Sequence, residues 1–536
     1  MKRIVSLILS LALILGMMGT VAMAEEKTVV KIQVMNAYQN LEPVLEEYYK
    51  RVANDPVLSN IELEFSYIAG ADYKDKINML MTTQDEVKDL VFVGAWHGLE
   101  DFAKGGKLAE LSKYFNNPEY PGLQKAFSEG MVEAAMTYYQ KEDGTWTKGL
   151  YKIPLMQAME DIRGLCYRED LRVKYDLPEI TNDETLMQYL ETVMANEPDM
   201  AFGWSMYMGF AYQGSTHFSG MLDNVYDIDL FGGNWEAPFH VALSEDGTKV
   251  LNAVIMGDDE AEFAKMPAGY QNDFIKAYRL DQVKWEEYLS PYRGTSEEEA
   301  GYAPVSYAPL TEMPTRISDL GKDSDLQTIW PDASLRFYPV EEAQRNMTPA
   351  SIVSPMVSNN FICVPSWSTN VDATMKFLDW MFASQENHDL FELGVEGVHW
   401  EAIGDKGYKT LGTDESNTYV MPGYSFTWNP NYVRYNESVM ENDELKAYYD
   451  YQNDVASYVP SQIAGFTFDN SKVATEVATI TAYAGELQLR FALGGSDTEN
   501  IIDDFHKRAT EAGLETIRAE LISQLQAFLD MKNATK

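Results

Sequence analysis

Apolar residues near the start of the chain recur with two different periods. Alternate positions are apolar in 28–35 and again in 61–67, which is typical of strands with one buried face. Between them, the apolar residues of 41–52 recur every three or four positions, which predicts a helix. A second helical pattern, which Asp72 is placed to cap, leads into the short apolar run 89–93. This order predicts a mostly parallel sheet wound with helices.

Two later stretches are predicted to carry the chain between two lobes. The first, 149–171 (GLYKIPLMQAMEDIRGLCYREDL), separates the strand–helix alternation from a helix-rich region. The second, 359–367 (NNFICVPSW), is predicted to be the return crossing. Two lobes joined by hinge strands enclose a cleft, and clefts are the usual location of ligands.

The two cysteines, Cys166 and Cys363, lie one in each crossing stretch. If the two crossing strands are neighbours, the thiols are close in space and an exported protein would allow a disulfide. Buried free cysteine is also common, so the sequence leaves the pairing open.

Weaker patterns predict the rest of the chain. Residues 181–184 (TNDE) have the form of a capping box that opens a helix. The Gly- and aromatic-rich stretch 200–240 predicts loops around the cleft, and Asp372 is placed to cap a later helix. Helical spacing returns at 473–480 and 517–528.

Residues 1–24 predict a secretory signal peptide, with Lys2-Arg3, an apolar run over 4–15 and a small-residue end at 22–24. The run is shorter than the ~20 residues of a membrane span. No cysteine lies near the cleavage site, so a lipid anchor is not expected there. We expect an exported chain beginning near Glu25 that is extracellular or associated with the cell surface, or periplasmic where two membranes are present.

Charge and composition exclude some partners. The chain carries 83 acidic and 42 basic side chains, for a formal net charge of −41. Such an acidic surface repels nucleic-acid phosphates and anionic lipid headgroups, which argues against both as partners. Solubility accounts for most of this charge. Two cysteines and six scattered histidines give no zinc-type spacing, so neither a metal nor a cofactor is expected.

Sequence motifs for catalysis are absent. The chain has no G-x-S-x-G elbow, no P-loop, no G-x-G-x-x-G after the first strand and no H-E-x-x-H. Carboxylate pairs are too frequent to point to a glycosidase, which requires two of them placed across a sugar. We therefore expect a protein that is not an enzyme.

Four stretches carry a resemblance to a known family: 153–171, 359–387, 394–401 (GVEGVHWE) and 465–525. The third is the most specific short motif. Together they resemble the extracellular solute-binding proteins of ABC importers, carbohydrate-type family 1, and within it the lipoprotein LipO-like subgroup. The chain departs from the family in lacking a lipobox cysteine. It also lacks alternating carboxylates at 196–203, where some members bind calcium, so we expect no calcium there.

The resemblance implies an α/β, periplasmic-binding-protein-like (type II) fold, with two lobes and a hinge-linked cleft. Lobe I would comprise 25–162 and 363–430, and lobe II would comprise 163–362 and 431–536. The implied function is that of a monomeric solute-binding component that captures an extracellular carbohydrate, an oligosaccharide in particular. The implied partners are this ligand and the transmembrane subunits of an ABC permease.

Candidate ligand contacts follow from this implied function, because sugars present apolar faces to aromatic rings and hydroxyls to polar side chains. The candidates are Trp96, Trp204, Trp235, Trp400 and Trp428 for stacking, and His97, Glu160, Asp161 and Arg163 for polar contacts. Trp96 and Trp204 rank first because their loops flank the predicted cleft edges. Each residue has a structural alternative, since tryptophan usually packs in a core. His97 could cap a turn, and Glu160 with Asp161 could solvate one.

Other functions remain open from the sequence. An exported carbohydrate-active hydrolase would use carboxylates that the sequence alone does not single out. A surface adhesion or scaffolding protein, or a binding protein for a non-sugar solute such as a peptide, is also compatible with the composition.

Overall fold

The computed structural model describes residues 27–140, 146–158, 160–197, 200, 224–231, 237–277, 279–280, 303–322, 331–354, 359–412, 417–492 and 497–534. Strands within these ranges are β1 (Thr28–Met35), β2 (Ile61–Ile68), β3 (Leu90–Gly94), β4 (Thr137–Gln140), β5 (Trp146–Gly149), β6 (Ile153–Leu155), β7 (Gly164–Arg168), β8 (Val225–Ile228), β9 (Phe239–Leu243), β10 (Val250–Val254), β11 (Val305–Tyr307), β12 (Leu335–Pro339), β13 (Ile352–Ser354), β14 (Asn360–Cys363), β15 (Trp400–Ile403), β16 (Gly407–Thr410), β17 (Tyr435–Asn436) and β18 (Tyr458–Pro460).

Helices in the same ranges are α1 (Leu41–Val52), α2 (Gly70–Thr83), α3 (Leu99–Lys104), α4 (Pro121–Ala126), α5 (Glu129–Ala135), α6 (Glu169–Lys174), α7 (Asp183–Asn196), α8 (Glu260–Phe263), α9 (Met313–Lys322), α10 (Glu342–Arg345), α11 (Val371–Met381), α12 (Gln385–Glu392), α13 (Glu437–Met440), α14 (Asp443–Gln452), α15 (Ala474–Ala492), α16 (Thr498–Glu511) and α17 (Leu514–Ala534).

A five-stranded sheet with the order β2–β1–β3–β14–β6 forms the centre of the first lobe. Strand β1 pairs in parallel with β2 and β3, which confirms the predicted strand–helix alternation. Strand β14 is antiparallel to both β3 and β6, so β6 runs in the same direction as β1, β2 and β3. The carboxyl ends of these four strands therefore meet at one edge of the sheet, called here the carboxyl edge, where α/β proteins usually bind ligands.

The buried apolar side chains form four cores. The first core surrounds the five-stranded sheet, with residues from Val30 to Met156 and from Phe361 to Tyr432. The second core joins the β10–β9–β8 sheet to helices α15, α16 and α17. The third and fourth cores lie on opposite faces of the β11–β7–β12 sheet, because alternate residues of β7 point to opposite sides. The elements around the last three cores form the second lobe.

The chain passes between these sheets at the stretches predicted to be crossings. It leaves the first sheet after β6 and enters the β11–β7–β12 sheet at β7, and it re-enters the first sheet with β14. Cys166 lies in the fourth core and Cys363 in the first, and both are free. The strands that carry them are not neighbours, because β14 lies between β3 and β6 while β7 lies between β11 and β12 in another sheet. The disulfide that the sequence left open is therefore not formed.

Three predicted caps are wrong, although the helices they were assigned to exist. Asp72 and Asp372 lie in the first turns of α2 and α11, which begin before them. A carboxylate in a first turn still interacts favourably with the helix dipole. Helix α7 is capped by Asn182 rather than Thr181, and the Asn182 side chain accepts a hydrogen bond from the Thr185 N–H at 2.9 Å.

The turn that follows β3 is fixed by a buried histidine. The His97 ring is 2% exposed, and its Nδ1 atom accepts a hydrogen bond from the Gly94 N–H at 3.0 Å. The ring also stacks on Tyr73, with centroids 5.3 Å apart. Burial, with a smaller contribution from the charge of Lys74, lowers the pKa of His97 from 6.5 to about 4. A neutral imidazole thus holds the turn that brings Trp96 to the carboxyl edge.

A buried ion pair attaches the last helix to the second lobe. Both terminal nitrogens of Arg518 on α17 lie 2.7 Å from oxygens of Asp258, which follows β10. The His506 Nε2–H donates to the same carboxylate at 2.8 Å. Burial would raise the pKa of Asp258, but the hydrogen bonds from His506 and Arg518 outweigh it and lower the pKa. Asp258 therefore loses its paired cation, although not its hydrogen bonds from His506 and the Ile255 N–H, if α17 is displaced.

Among the helices of the described ranges, none has both the length and the apolar character that crossing a bilayer requires.

Replacing His97 with Asn should flatten the acid dependence of stability. The folded pKa of His97 is depressed, so the unfolded chain takes up a proton below about pH 6.5 while the folded ring stays neutral to about pH 4. Stability from this residue is therefore lost as pH falls through that window. Asn can still accept from Gly94 but does not titrate. Melting temperatures measured between these two pH values should fall more steeply for the unchanged protein; parallel curves would contradict this role.

Replacing Arg518 with Ala should destabilise the fold by ~3–5 kcal/mol, because it leaves Asp258 buried without its main partner. The matched control is Arg490→Ala on α15, which breaks a more exposed ion pair with Asp504 and should cost less than ~1 kcal/mol. Urea unfolding followed by circular dichroism measures both free energies. Equal losses in the two variants would mean that the buried pair does not secure α17.

Candidate ligand-binding site

A cavity of about 420 Å³ lies between the two lobes, beside the carboxyl edge of the first sheet. Its walls come from both sides of the chain crossings. The first lobe contributes Ala95, Leu99, Glu100, Ala134, Met136, Lys152, Asn359 and Phe361, and the second contributes Tyr226, Asp227, Ser461 and residues 463–467. A molecule held here would contact both lobes at once.

The wall from the first lobe combines an ion pair with apolar surface. The Lys152 ammonium donates to Glu100 Oε1, and the Lys152 side chain is almost fully buried. The same ammonium lies 5.2 Å from the centre of the Phe361 ring. The second Glu100 oxygen, Oε2, is buried without a hydrogen-bond partner among the described residues. This wall therefore offers a cation, a carboxylate and a hydrophobic face within one small area.

The wall from the second lobe is also mixed. The buried Tyr226 hydroxyl donates to Asn224 Oδ1 at 3.3 Å and accepts from the Gln462 N–H at 3.4 Å. Its neighbour Asp227 is exposed, and Asp227 Oδ1 lies 2.6 Å from His240 Nδ1. Residues 463–467 complete the wall with main-chain groups and the Phe466 ring. Polar groups of a ligand would find both donors and acceptors here.

Trp96 lies next to this cavity without being one of its lining residues. Its side chain is 49% exposed, and its ring stands edge-on to His97 with centroids 5.0 Å apart. The ring also covers Gly94, where an added Cβ would come within 2.7 Å of it. An exposed ring held in a fixed orientation at the carboxyl edge is suited to stack on a sugar ring. The role of Trp96 as a ligand contact stays a prediction. His97 lies beneath it, and its role as a contact also stays a prediction.

The polar candidates 160–163 lie on the link between β6 and β7. Asp161 accepts from the Thr311 N–H at 3.2 Å and from the Thr311 hydroxyl, and burial raises the pKa of Asp161 to about 7. Burial also raises the pKa of Glu160, whose Oε1 lies 3.9 Å from Arg163 Nη2. These contacts tie the link to the second lobe. None of the three residues lines the interlobe cavity, and their role as ligand contacts stays a prediction.

The remaining aromatic candidates divide into two groups. Trp400 is buried, donates its Nε1–H to the Gly394 carbonyl at 3.0 Å and lies against the Arg434 guanidinium. Trp428 is half-buried and lines a separate cavity of about 50 Å³. Both pack within the structure and do not line the interlobe cavity. Trp204 and Trp235 lie outside the described residues.

Sequence reasoning missed most of the cavity wall. Glu100 and Lys152 are 52 positions apart, and no local pattern distinguishes them from other charged residues. Asp227 and Asn359 were not singled out either. The available signals are the two crossing stretches, which contain Lys152, Asn359 and Phe361, and the family-like stretch beginning at Gly465. In the part of the chain that the structure describes, no group of three or more His, Cys, Asp and Glu side chains is arranged to hold a metal ion.

Two family models match the sequence. The model described as "Bacterial extracellular solute-binding protein" matches residues 41–388, which is more than half of the chain. A second, "Domain of unknown function (DUF3502)", matches residues 462–530. No protein of curated function matches the chain significantly in sequence.

Solved structures of similar fold include binding proteins whose titles name glycans. The N-glycan transport solute binding protein (NgtS) from Streptococcus pneumoniae has a TM-score of 0.63 at 18% identity, over 94% of this chain and 100% of that chain. Its complex with Man1GlcNAc has a TM-score of 0.59 at 17% identity, over 94% and 100%. The HMO-binding, ABC-transporter-associated solute binding protein from Bifidobacterium longum infantis has a TM-score of 0.54 at 15% identity, over 95% and 99%.

These structures share the α/β, two-lobed, periplasmic-binding-protein-like fold that the sequence predicts. The family match over residues 41–388, which includes parts of both lobes, establishes the class of the protein. The chain belongs to the bacterial extracellular solute-binding proteins.

Proposed function

We propose that this protein is the solute-binding component of an ABC importer, and that it captures an extracellular carbohydrate, an oligosaccharide in particular, for delivery to a membrane permease. The observation that carries the proposal is the interlobe cavity, which takes its walls from both lobes at the carboxyl edge of the first sheet. Proteins of the same fold support the ligand class, since their titles name N-glycan transport, a Man1GlcNAc complex and HMO binding.

Binding between the lobes explains how the protein would signal to the permease that it holds a ligand. A ligand that contacts only one lobe binds the open and closed forms equally, so it does not shift the equilibrium between them. A ligand that contacts both walls gains interactions only when the lobes approach, so it stabilises the closed form by that difference in affinity. The permease then distinguishes a loaded protein from an empty one by its shape.

The chemistry of the walls suits a sugar. Leu99, Phe361 and Phe466 provide apolar surface for the C–H faces of a pyranose ring. Glu100, Lys152, Asp227 and Asn359 provide hydrogen-bonding groups for its hydroxyls. The cavity volume of about 420 Å³ falls within the ~300–1,000 Å³ of typical ligand sites. The exposed Trp96 ring next to the cavity would extend the site toward a second sugar unit, which favours an oligosaccharide.

The same proposal covers the boundaries of the lobes and the export of the chain. For the lobes we propose bounds of 25–162 and 363–430 for the first and 163–362 and 431–536 for the second, with one adjustment: residues 359–362 go with the first lobe, because Phe361 and Ile362 on β14 are buried in the first core. Membership in an extracellular family supports export, and a signal peptide at 1–24 would direct it. We propose a monomer, because one chain supplies both walls of the cavity.

A glycan panel tests the proposal. Purified protein incubated with mono- and oligosaccharides should show a raised melting temperature with at least one oligosaccharide, because a ligand that binds only the folded state stabilises it by mass action. Calorimetry should then give one site per chain, and chromatography should return the glycan intact. Release of reducing ends would instead favour a hydrolase. A shift with peptides alone would favour a non-sugar solute, and no binding at all would leave a scaffolding role.

Changing one residue in each lobe tests whether the ligand bridges them. Trp96→Ala removes the exposed ring of the first lobe, and Asp227→Asn removes the charge on the wall of the second. Each change should weaken glycan binding about 10- to 100-fold, the range for a lost stacking contact or a charged hydrogen bond. Glu245→Gln, an exposed carboxylate outside the cavity lining, is the matched control and should leave the affinity unchanged. Normal affinity in both test variants would remove these residues from the site.

A further inference from the structure

The hairpin of β4 and β5 belongs to the first lobe by sequence but reaches into the second. The residues on either side of it, Ala135 and Leu150, are buried in the first core. Tyr138 on β4 is instead buried in the second core, and its side chain is only 4% exposed. Met136, between them, packs against both cores. The hairpin is thus a non-covalent connection between the lobes in addition to the chain crossings.

Tyr138 contacts the C-terminal part of the chain through its ring. The ring stands edge-on to Phe528 with centroids 5.6 Å apart, and Phe528 contacts Phe466 at the same separation. Gly465 has a φ of +87°, and a Cβ added there would lie 3.4 Å from the Tyr138 ring. The Tyr138 hydroxyl donates to Glu133 of its own lobe. The ring of Tyr138 therefore packs directly beside the 465–466 backbone.

That backbone is part of the cavity wall. Residues 463–467 line the cavity together with Ala134 and Met136, and these two residues lead directly into β4. Residues 463–467 also open the segment 462–530 that matches the domain of unknown function. Their fixed contacts include the hydrogen bond from the Phe466 N–H to the Ile463 carbonyl and those from Lys532 Nζ to the carbonyls of 462 and 464. Ile463 and Phe466 also pack against the second core, where the Phe466 ring contacts Phe528 and Phe528 in turn contacts Tyr138.

We propose that Tyr138 is a positioning residue for the ligand site: carried by the first lobe, it holds residues 463–467 of the second lobe in place as a wall of the cavity. The segment of unknown function at 462–530 thereby contributes directly to binding, rather than serving only as a C-terminal helical bundle. As far as it concerns ligand affinity, this inference rests on the proposed function. The placement of the wall itself does not depend on which ligand is bound.

The contact of the Tyr138 ring with the second core is expected to persist when the lobes move. A ring that is almost fully buried among apolar side chains loses that burial if the lobes separate at this point, at a cost comparable to any core aromatic. The neighbouring ion pair between Lys148 and Glu133, at 3.4 Å, links β5 to α5, and the Tyr138 hydroxyl links β4 to the same carboxylate. A preformed wall needs no ordering when the ligand arrives, and such preorganisation is a source of affinity.

The experiment compares three variants of the full-length protein. Tyr138→Ala removes the ring, Tyr138→Phe keeps it and loses only the hydroxyl, and Phe505→Ala empties a site elsewhere in the second core that is not part of the cavity lining. Hydrogen exchange of the free protein reports the order of residues 463–467 without any ligand. Calorimetry with the panel oligosaccharide that binds the unchanged protein most tightly reports affinity. Should Tyr138→Ala not fold, Tyr138→Leu replaces it.

For Tyr138→Ala we expect faster exchange at 463–467 and binding weakened at least about tenfold, as expected when a preorganised wall is lost. Tyr138→Phe and Phe505→Ala should keep the affinity within about twofold, even though Phe505→Ala lowers the melting temperature. Unchanged exchange or affinity in Tyr138→Ala, or an equal loss in Phe505→Ala, would overturn the proposal. If no oligosaccharide binds the unchanged protein, the proposed function fails, while the exchange measurement still decides whether Tyr138 orders the wall.

Discussion

The pairing of β14 with β6 is the constraint on which the two-lobed arrangement depends. Asn360 lies opposite Leu155 in this antiparallel pair, so the points where the chain leaves and re-enters the first sheet are adjacent. Residues 156–359, just over two hundred in number, lie between these two points in sequence, and most of the second lobe is built from them. Because Leu155 and Asn360 are held side by side, the second lobe can rotate relative to the first only about the few chain segments that join the two lobes.

This pairing also determines where a ligand site can form. The exit and return points lie at the carboxyl edge, and so does the turn after β3 that His97 fixes. Asn359, the residue before β14, lines the cavity together with Ala95 from that turn. The second lobe supplies the opposite wall because its links begin at the same edge. The cavity therefore follows from the sheet topology, while its specificity depends on side chains that the topology brings together.

Sequence reasoning succeeded where the signal is local. The alternation in β1 and β2, the helical spacing of α1 and the crossing at β6 are all recorded within a few residues of chain. Capping was less accurate, because several oxygen-bearing side chains near a helix start compete, and Asn182 rather than Thr181 has the required geometry. The cavity could not be derived, since its ion pair and its opposite walls join residues distant in sequence. Trp400 shows the same limit. A tryptophan in a sequence motif gives the same signal whether its ring binds a ligand or, as here, packs inside the structure.

The hairpin of β4 and β5 restricts how the two lobes can close on a ligand. If the lobes were joined only by the chain crossings, their relative rotation would be limited by those links alone. Tyr138 is buried in the second core. If the lobes rotate while Tyr138 stays in that core, the backbone has to bend at the base of the hairpin, where Thr137 pairs with Gly149. Met136, at that base, is also a cavity residue. The interlobe cavity and the base of the hairpin therefore share a residue, so a molecule held in the cavity against Met136 would touch the segment that such a rotation bends.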